Sequence, residues 1–208
     1  MKKTIIFFSI VVIGFSSCVT SRTAEQIHAR QLQKGKITED TSYVYALPYE
    51  NNASHFLIQG YYSALSHKQR AALDFVMKRG TKILAARDGI VVRLKEDSDK
   101  GGWSKKNLSK ANYVIVQHAD GTRSGYWHLQ QNGVLVNLGD SVKVGQPIAL
   151  SGKTGYTAMP HLHFMVWKVT SGNWHQIPTR FLTSKGVRYL KPFKRYRKKD
   201  QITAPSRS

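Results

Sequence analysis

Five side chains in this 208-residue chain have the types and spacing to do chemistry together. His67 lies in "LSHKQRAALDF", with Asp74 seven positions on, His128 lies in "YWHL", and His161 and His163 lie in "MPHLHFMVW". Apolar or aromatic residues flank all of them, so folding would bury each imidazole at a desolvation cost unless it found a polar partner. A metal ion is one such partner. Imidazole nitrogens and a carboxylate oxygen suit zinc, and three protein ligands leave a fourth position open for water. Alternate residues of a strand share a face, which lets His161 and His163 reach one cavity without requiring both to hold the ion. Spacing alone accepts several ligand sets drawn from these five residues.

Other polar and aromatic residues read more plainly. His118 opens the turn "HADG" and is expected to be structural or solvent-facing, and His28, His55 and His175 have no comparable partner pattern. Trp127 and Trp167 sit in strand-like runs as core or sheet-face residues. Tyr156 is a turn aromatic near the motifs, and Asn112 either ends a loop or bonds substrate.

The elements that must position these groups begin at Tyr43. From there "YVYALPY", "SHFLIQGYY", "TKILAARDGIVVRL", "NYVIVQH" and "PHLHFMVWKV" are short apolar or alternating runs separated by Gly, Asp and Asn. That pattern predicts a mainly β, mostly antiparallel domain. The turn signals in "LGDSVKVGQPIALSGKTG" predict tight hairpins, residues 96–111 a long polar surface insert, and "PTRFLTSKGVRYLKPF" an added edge strand. Two flanks look peripheral. Residues 18–41 are polar and read as a tether, with a short amphipathic helix over 24–33 as the alternative, and residues 183–208 form a basic C-terminal extension whose final run "KRYRKKDQITAPSRS" reads as a solvated tail.

Lys2 and Lys3 precede the apolar run "IIFFSIVVIGF", which meets small residues and then Cys18. This is the pattern of an export signal over residues 1–17, with an apolar core short of the ~20 residues that span a bilayer. Cys18 is the only cysteine, which excludes an internal disulfide and a cysteine-based metal site. Its place just after "GFSS" resembles a lipoprotein attachment site, so the mature chain is expected in the cell envelope, periplasmic and held to a membrane by lipid on Cys18. The formal charge is +20, and because Lys2 and Lys3 are the only charged residues of the signal it becomes +18 on cleavage. Such a charge attracts polyanions in general. In an exported protein the nearby ones are lipid headgroups and cell wall, so no specific nucleic-acid partner is expected.

The run "SHKQRAALDFVMKRGTKILAARDGIVV", together with "YWHL" and "LSGKTGYTAMPHLHF", resembles the lysostaphin-type (LytM-type, M23) zinc metallopeptidases of bacterial cell walls, in the family's order and over residues 43 to 180. The resemblance implies a LytM-like β domain over 42–182, a Zn2+ cofactor held by His67, Asp74 and His163, and catalytic roles for His128 and His161. It also implies peptidoglycan peptide stems as substrate, with the D-alanyl to diaminopimelate cross-link as the expected bond. Two other readings stand beside it: a wall-binding or regulatory module without turnover, and a metalloendopeptidase of glycine-rich protein. Six residues separate His67 from Asp74, which resembles a longer-spaced branch of the family. Met159 and Gln69 stand where glycine is common, which alters the rim of the site more than its ligands. Oligomeric state is not legible.

Overall fold

The computed structural model describes residues 22–39, 43–64 and 66–199. Cys18 and the apolar run before it lie outside these residues. The described chain is mainly β, as expected. A nine-stranded sheet runs in the order Ser141–Val142, Gly89–Lys95, Tyr113–Gln117, Thr122–Trp127, His161–Thr170, Ala72–Val76, Ser54–Gln59, Lys194–Arg197, with Asn173–Gln176 also paired to His161–Thr170. All of its pairings are antiparallel. Smaller sheets join Lys82–Leu84, Pro147–Ser151 and Leu129–Val134, and join Val44–Ala46, Arg180–Thr183 and Gly186–Tyr189.

Alternation sorts the central strands into two faces. Leu73 and Phe75, Leu162 and Phe164, and Tyr126 are fully buried on the core side. The intervening Asp74, His161 and His163 therefore project from the opposite face. Register aligns them: His163 stands opposite Asp74 on one neighbouring strand and opposite Trp127 on the other. A one-residue slip would send the whole set into the core, so burial of the leucines and phenylalanines fixes the polar row.

The turns fall where the sequence puts them, with Gly139, Gly145 and Gly155 all at positive φ. They do not close hairpins: Ser141–Val142 pairs with Gly89–Lys95, Pro147–Ser151 with Lys82–Leu84 and Leu129–Val134, and none pairs with its neighbour across the turn. Gly155 is needed for space as well, because a Cβ there would lie 2.5 Å from the Cβ of Ala111. That close approach lets Gly155–Tyr156 pair in parallel with Gly101–Gly102 and hold the 96–111 insert against the body. Asn112 ends this insert from within: fully buried, it accepts from the Ser98 N–H and donates to the carbonyls of Ser98 and Glu96. His118 is structural too, with Nδ1 2.7 Å from the Asp88 carbonyl and Nε2 3.0 Å from the Ser124 hydroxyl.

The N-terminal flank takes the helical of its two readings, and the C-terminal flank holds the expected edge strand and one strand more. Within the supposed tether, Ala24–Lys34 is a helix with a Thr23–Gln26 capping box and a left-handed Gly35 at its end. It docks by burying Ala29 and Leu32, and Gln33 donates to the Leu190 carbonyl at 2.7 Å. Gly186–Tyr189 is the edge strand expected in "PTRFLTSKGVRYLKPF", whereas Lys194–Arg197, at the start of the run expected to be solvated, is a strand as well. Tyr196 points inward among the cations, 7% exposed, and its carbonyl accepts from the Tyr49 hydroxyl. The run reads as solvated because long cationic side chains keep their charged ends in water while their backbone is sheet.

Candidate metal centre

His67 comes from the turn region between Ser54–Gln59 and Ala72–Val76, whereas Asp74 and His163 come from adjacent strands. One ligand-type atom from each of the three lies within 4.8 Å of the other two. His67 Nε2 is 3.2 Å from Asp74 Oδ2, and His163 Nδ1 is 2.8 Å from Asp74 Oδ1. His67 and Asp74 are 1% and 2% exposed, so access to the group lies on the side of His161 and His163.

The donor chemistry tests whether a cation fits. His67 Nδ1 lies 3.2 Å from the Gly60 carbonyl, an acceptor, and therefore carries the ring's proton. Nε2 is then a lone pair, buried, without a hydrogen-bond partner, and facing a carboxylate oxygen. Two acceptors at that distance require positive charge between them, from a second ring proton or from a metal. Burial alone would raise the pKa of Asp74, but the hydrogen bond and charge of His163, with charge from His161, outweigh it and hold the carboxyl well below the usual range. Burial lowers the pKa of His163, which favours the neutral imidazole that a metal needs. The three residues fit a divalent cation.

A residue that sequence reasoning did not single out steadies the carboxylate. Gln59 donates to Asp74 Oδ2 at 2.7 Å, and its Oε1 accepts from the Ser66 N–H at 3.0 Å, beside His67. One amide thus ties the loop of one ligand to the carboxylate of another. A glutamine at a strand end carries no sequence signal. Only the register, which sets Gln59 against Asp74, reveals it.

The other two histidines stand beside this group. His161 Nε2 is 3.6 Å from Asp74 Oδ1, while its Nδ1 is 2.9 Å from the Met159 carbonyl. The rings of His128 and His161 are 4.5 Å apart, centroid to centroid. His128 follows a strand whose last residue, Trp127, is in register with His163, so continued extension would turn His128 toward the core. A φ of 65° breaks the alternation and brings it to the site. His128 Nδ1 lies 2.6 Å from the Thr154 carbonyl. Burial, then His161 and His163, lower its pKa to about 3, so it is neutral at pH 7. Trp127 packs against His163 and Trp167, at ring-centroid distances of 5.5 and 5.8 Å. Of the remaining aromatic and histidine readings, Tyr156 meets the exposed Trp103 edge to face, whereas His28 pairs with Glu39 and His55 with the Val76 carbonyl, away from the centre.

A family model described as Peptidase family M23 matches residues 68–177, more than half of the chain. The chain belongs to peptidase family M23. The match takes in Asp74, His128, His161 and His163, and His67 immediately precedes it. Among curated proteins, the chain is 40% identical over 116 residues to the glycyl-glycine endopeptidase ALE-1 of Staphylococcus capitis, covering 55% of this chain and 29% of that one. It is 37% identical over 91 residues to the peptidoglycan DD-endopeptidase ShyA of Vibrio cholerae, covering 44% and 18%. The chain spans less than a third of the length of these relatives. Among solved structures, the catalytic domain of lysostaphin from Staphylococcus simulans aligns at 29% identity and a TM-score of 0.42, covering 60% of this chain and 88% of that one.

Proposed function

We propose that this M23 chain is an exported, zinc-dependent endopeptidase that hydrolyses peptide cross-links of bacterial peptidoglycan. The observation that carries this reading is the buried, unpartnered Nε2 of His67 facing Asp74 beside His163, with two further imidazoles on the open side. His67, Asp74 and His163 would hold the zinc, which when bound supplies Lewis acidity toward a peptide carbonyl and toward water. His161 donates its Nδ1–H to the Met159 carbonyl and so presents a basic Nε2, which takes the proton of the attacking water. His128 has the same tautomer through the Thr154 carbonyl. It therefore enters the reaction as an acceptor and donates to the developing oxyanion only after it takes up a proton.

By their names, one relative is a peptidoglycan DD-endopeptidase and the other a glycyl-glycine endopeptidase. The DD-endopeptidase relative supports the D-alanyl to diaminopimelate bond as substrate, and the glycyl-glycine relative supports a glycine bridge as the second reading. Removal of residues 1–17 and lipid attachment at Cys18 would place the enzyme on a membrane facing the wall.

The test is incubation of the purified protein with defined muropeptides of both cross-link types, with bound zinc measured on the same sample and products identified by mass spectrometry. Cleavage that stops with a chelator and returns with zinc is expected. Full zinc occupancy with every cross-link intact would replace this reading with a non-catalytic wall-binding module.

A further inference from the structure

We infer that the face built from the helix Ala24–Lys34 and the strands Gly186–Tyr189 and Lys194–Arg197 docks the protein on an anionic phospholipid bilayer. A groove of about 460 Å³ is lined by Lys185, Arg188, Lys191, Lys194, Arg195 and Arg197, with no carboxylate in its wall. Residues 180–199 contain no aspartate or glutamate. None of those six cations takes part in a salt bridge among the described residues. Among exposed lysines elsewhere, Lys82, Lys100 and Lys143 are each paired with a carboxylate, while Lys105, Lys106, Lys110 and Lys168 have no salt bridge among the described residues; what sets this face apart is six cations around one groove. The helix extends the positive surface, since Gln33 lines the groove and a second hollow on the helix is ringed by Arg22, Arg30, Lys34 and Lys36.

Charge alone would suit any phosphate-rich polymer. Two observations favour a bilayer. The same elements expose apolar side chains beside the cations: Ile27 in the second hollow, Val187 in the strand after Lys185, and Phe193, 71% exposed, just before Lys194. Cations around exposed apolar groups match an interface in which headgroups meet acyl chains. In the sequence, Cys18 and the apolar run end six residues before the helix, a span of at most ~20 Å. Anything that holds that segment at a membrane brings this face to the same membrane. Each lysine or arginine near an anionic bilayer strengthens binding about fivefold, so a single acyl attachment, marginal alone, would gain a second contact. The inference does not depend on the proposed catalysis.

The experiment uses the full chain with vesicles of phosphatidylcholine alone or with added phosphatidylglycerol, at low and high salt. The test variant carries Lys185→Gln, Lys194→Gln, Arg195→Gln and Arg197→Gln, and a control with the same charge carries Lys105→Gln, Lys106→Gln, Lys110→Gln and Lys168→Gln. The expected result is that wild type and control bind anionic vesicles alike, salt weakens both, and the test variant binds them at least a hundredfold more weakly with little change on neutral ones. Equal binding by test variant and wild type overturns the inference, as does an equal loss in the control, which would assign the effect to net charge. Tighter binding of wild type to soluble poly(glycerol phosphate) than to vesicles overturns it in favour of a wall polymer. As a readout that needs no variant, vesicles should protect Lys185 and Lys194 of the wild type from an amine-reactive label and leave Lys105 and Lys106 unprotected. Equal labelling with and without vesicles overturns the inference even if the variants fail to fold.

Discussion

Gln59 shows how the site depends on a residue that is neither a proposed ligand nor a proposed catalyst. Its amide fixes one oxygen of Asp74 and the backbone of Ser66 together, so the two ligand-bearing segments are held in one geometry. Outer contacts of this kind typically contribute 10–100-fold in metal affinity. Gln59→Leu is expected to weaken zinc binding by about that factor in competition with a chromophoric chelator, with the circular dichroism spectrum unchanged. His163→Ala should remove zinc altogether. His128→Ala should retain it while turnover falls about 10²–10⁴-fold, and metal analysis alongside kinetics separates the two. Zinc loss in His128→Ala would move that residue into the ligand set. His128, His161 and His163 were legible because histidines inside apolar runs need a partner, and His67 and Asp74 through the order of the motifs that carry the family resemblance. Gln59 and the carbonyls of Gly60, Thr154 and Met159 were not, since a backbone acceptor has no sequence signature and an isolated glutamine has an ordinary one.

At the scale of elements, the β domain was legible from alternation, and the two flanks only in part: a helix over 24–33 stood as one of two readings and the edge strand was expected, but the docking of the helix and the last strand were not. In both, one or two buried residues among many charged ones do the anchoring: Ala29 and Leu32 in the helix, Tyr196 in the last strand. A hydropathy pattern averages these away, whereas docking depends on them singly. Thr23, Gln26 and Gly35 did carry the helix's start and stop signals, which the surrounding polarity obscured. If the helix is an integral part of the fold, Leu32→Ala should weaken its docking by about 2–4 kcal/mol. The expected observation is faster amide exchange over residues 24–34 with unchanged protection in His161–Thr170. A free tether would exchange quickly in both proteins.

At the scale of the whole molecule, the charge is segregated. The net charge is +20, yet most carboxylates of the described chain lie between Asp74 and Asp140, several paired, while the C-terminal strands hold cations alone. Lowering the pH removes the paired carboxylates and leaves the cations, so acid should destabilise the fold through identifiable groups. Asp120 is one. Burial would raise its pKa, but hydrogen bonds from Thr122 and Arg87, with Arg87 2.7 Å away and packed over the Tyr43 ring, bring it down to about 2. A carboxyl with a folded-state pKa below its unfolded value of 3.8 contributes stability above that value and loses it as pH falls through about 2. Because the pair is partly exposed and screened by solvent, its contribution is about 1 kcal/mol. Asp120→Asn should therefore lower the urea midpoint at pH 7 and leave it nearly unchanged at pH 2. Wild-type and variant stabilities should converge as the pH falls between 4 and 2. Parallel curves over that range would show that Asp120 does not titrate differently in the folded and unfolded chain, and would remove the Arg87 contact from the account of acid stability.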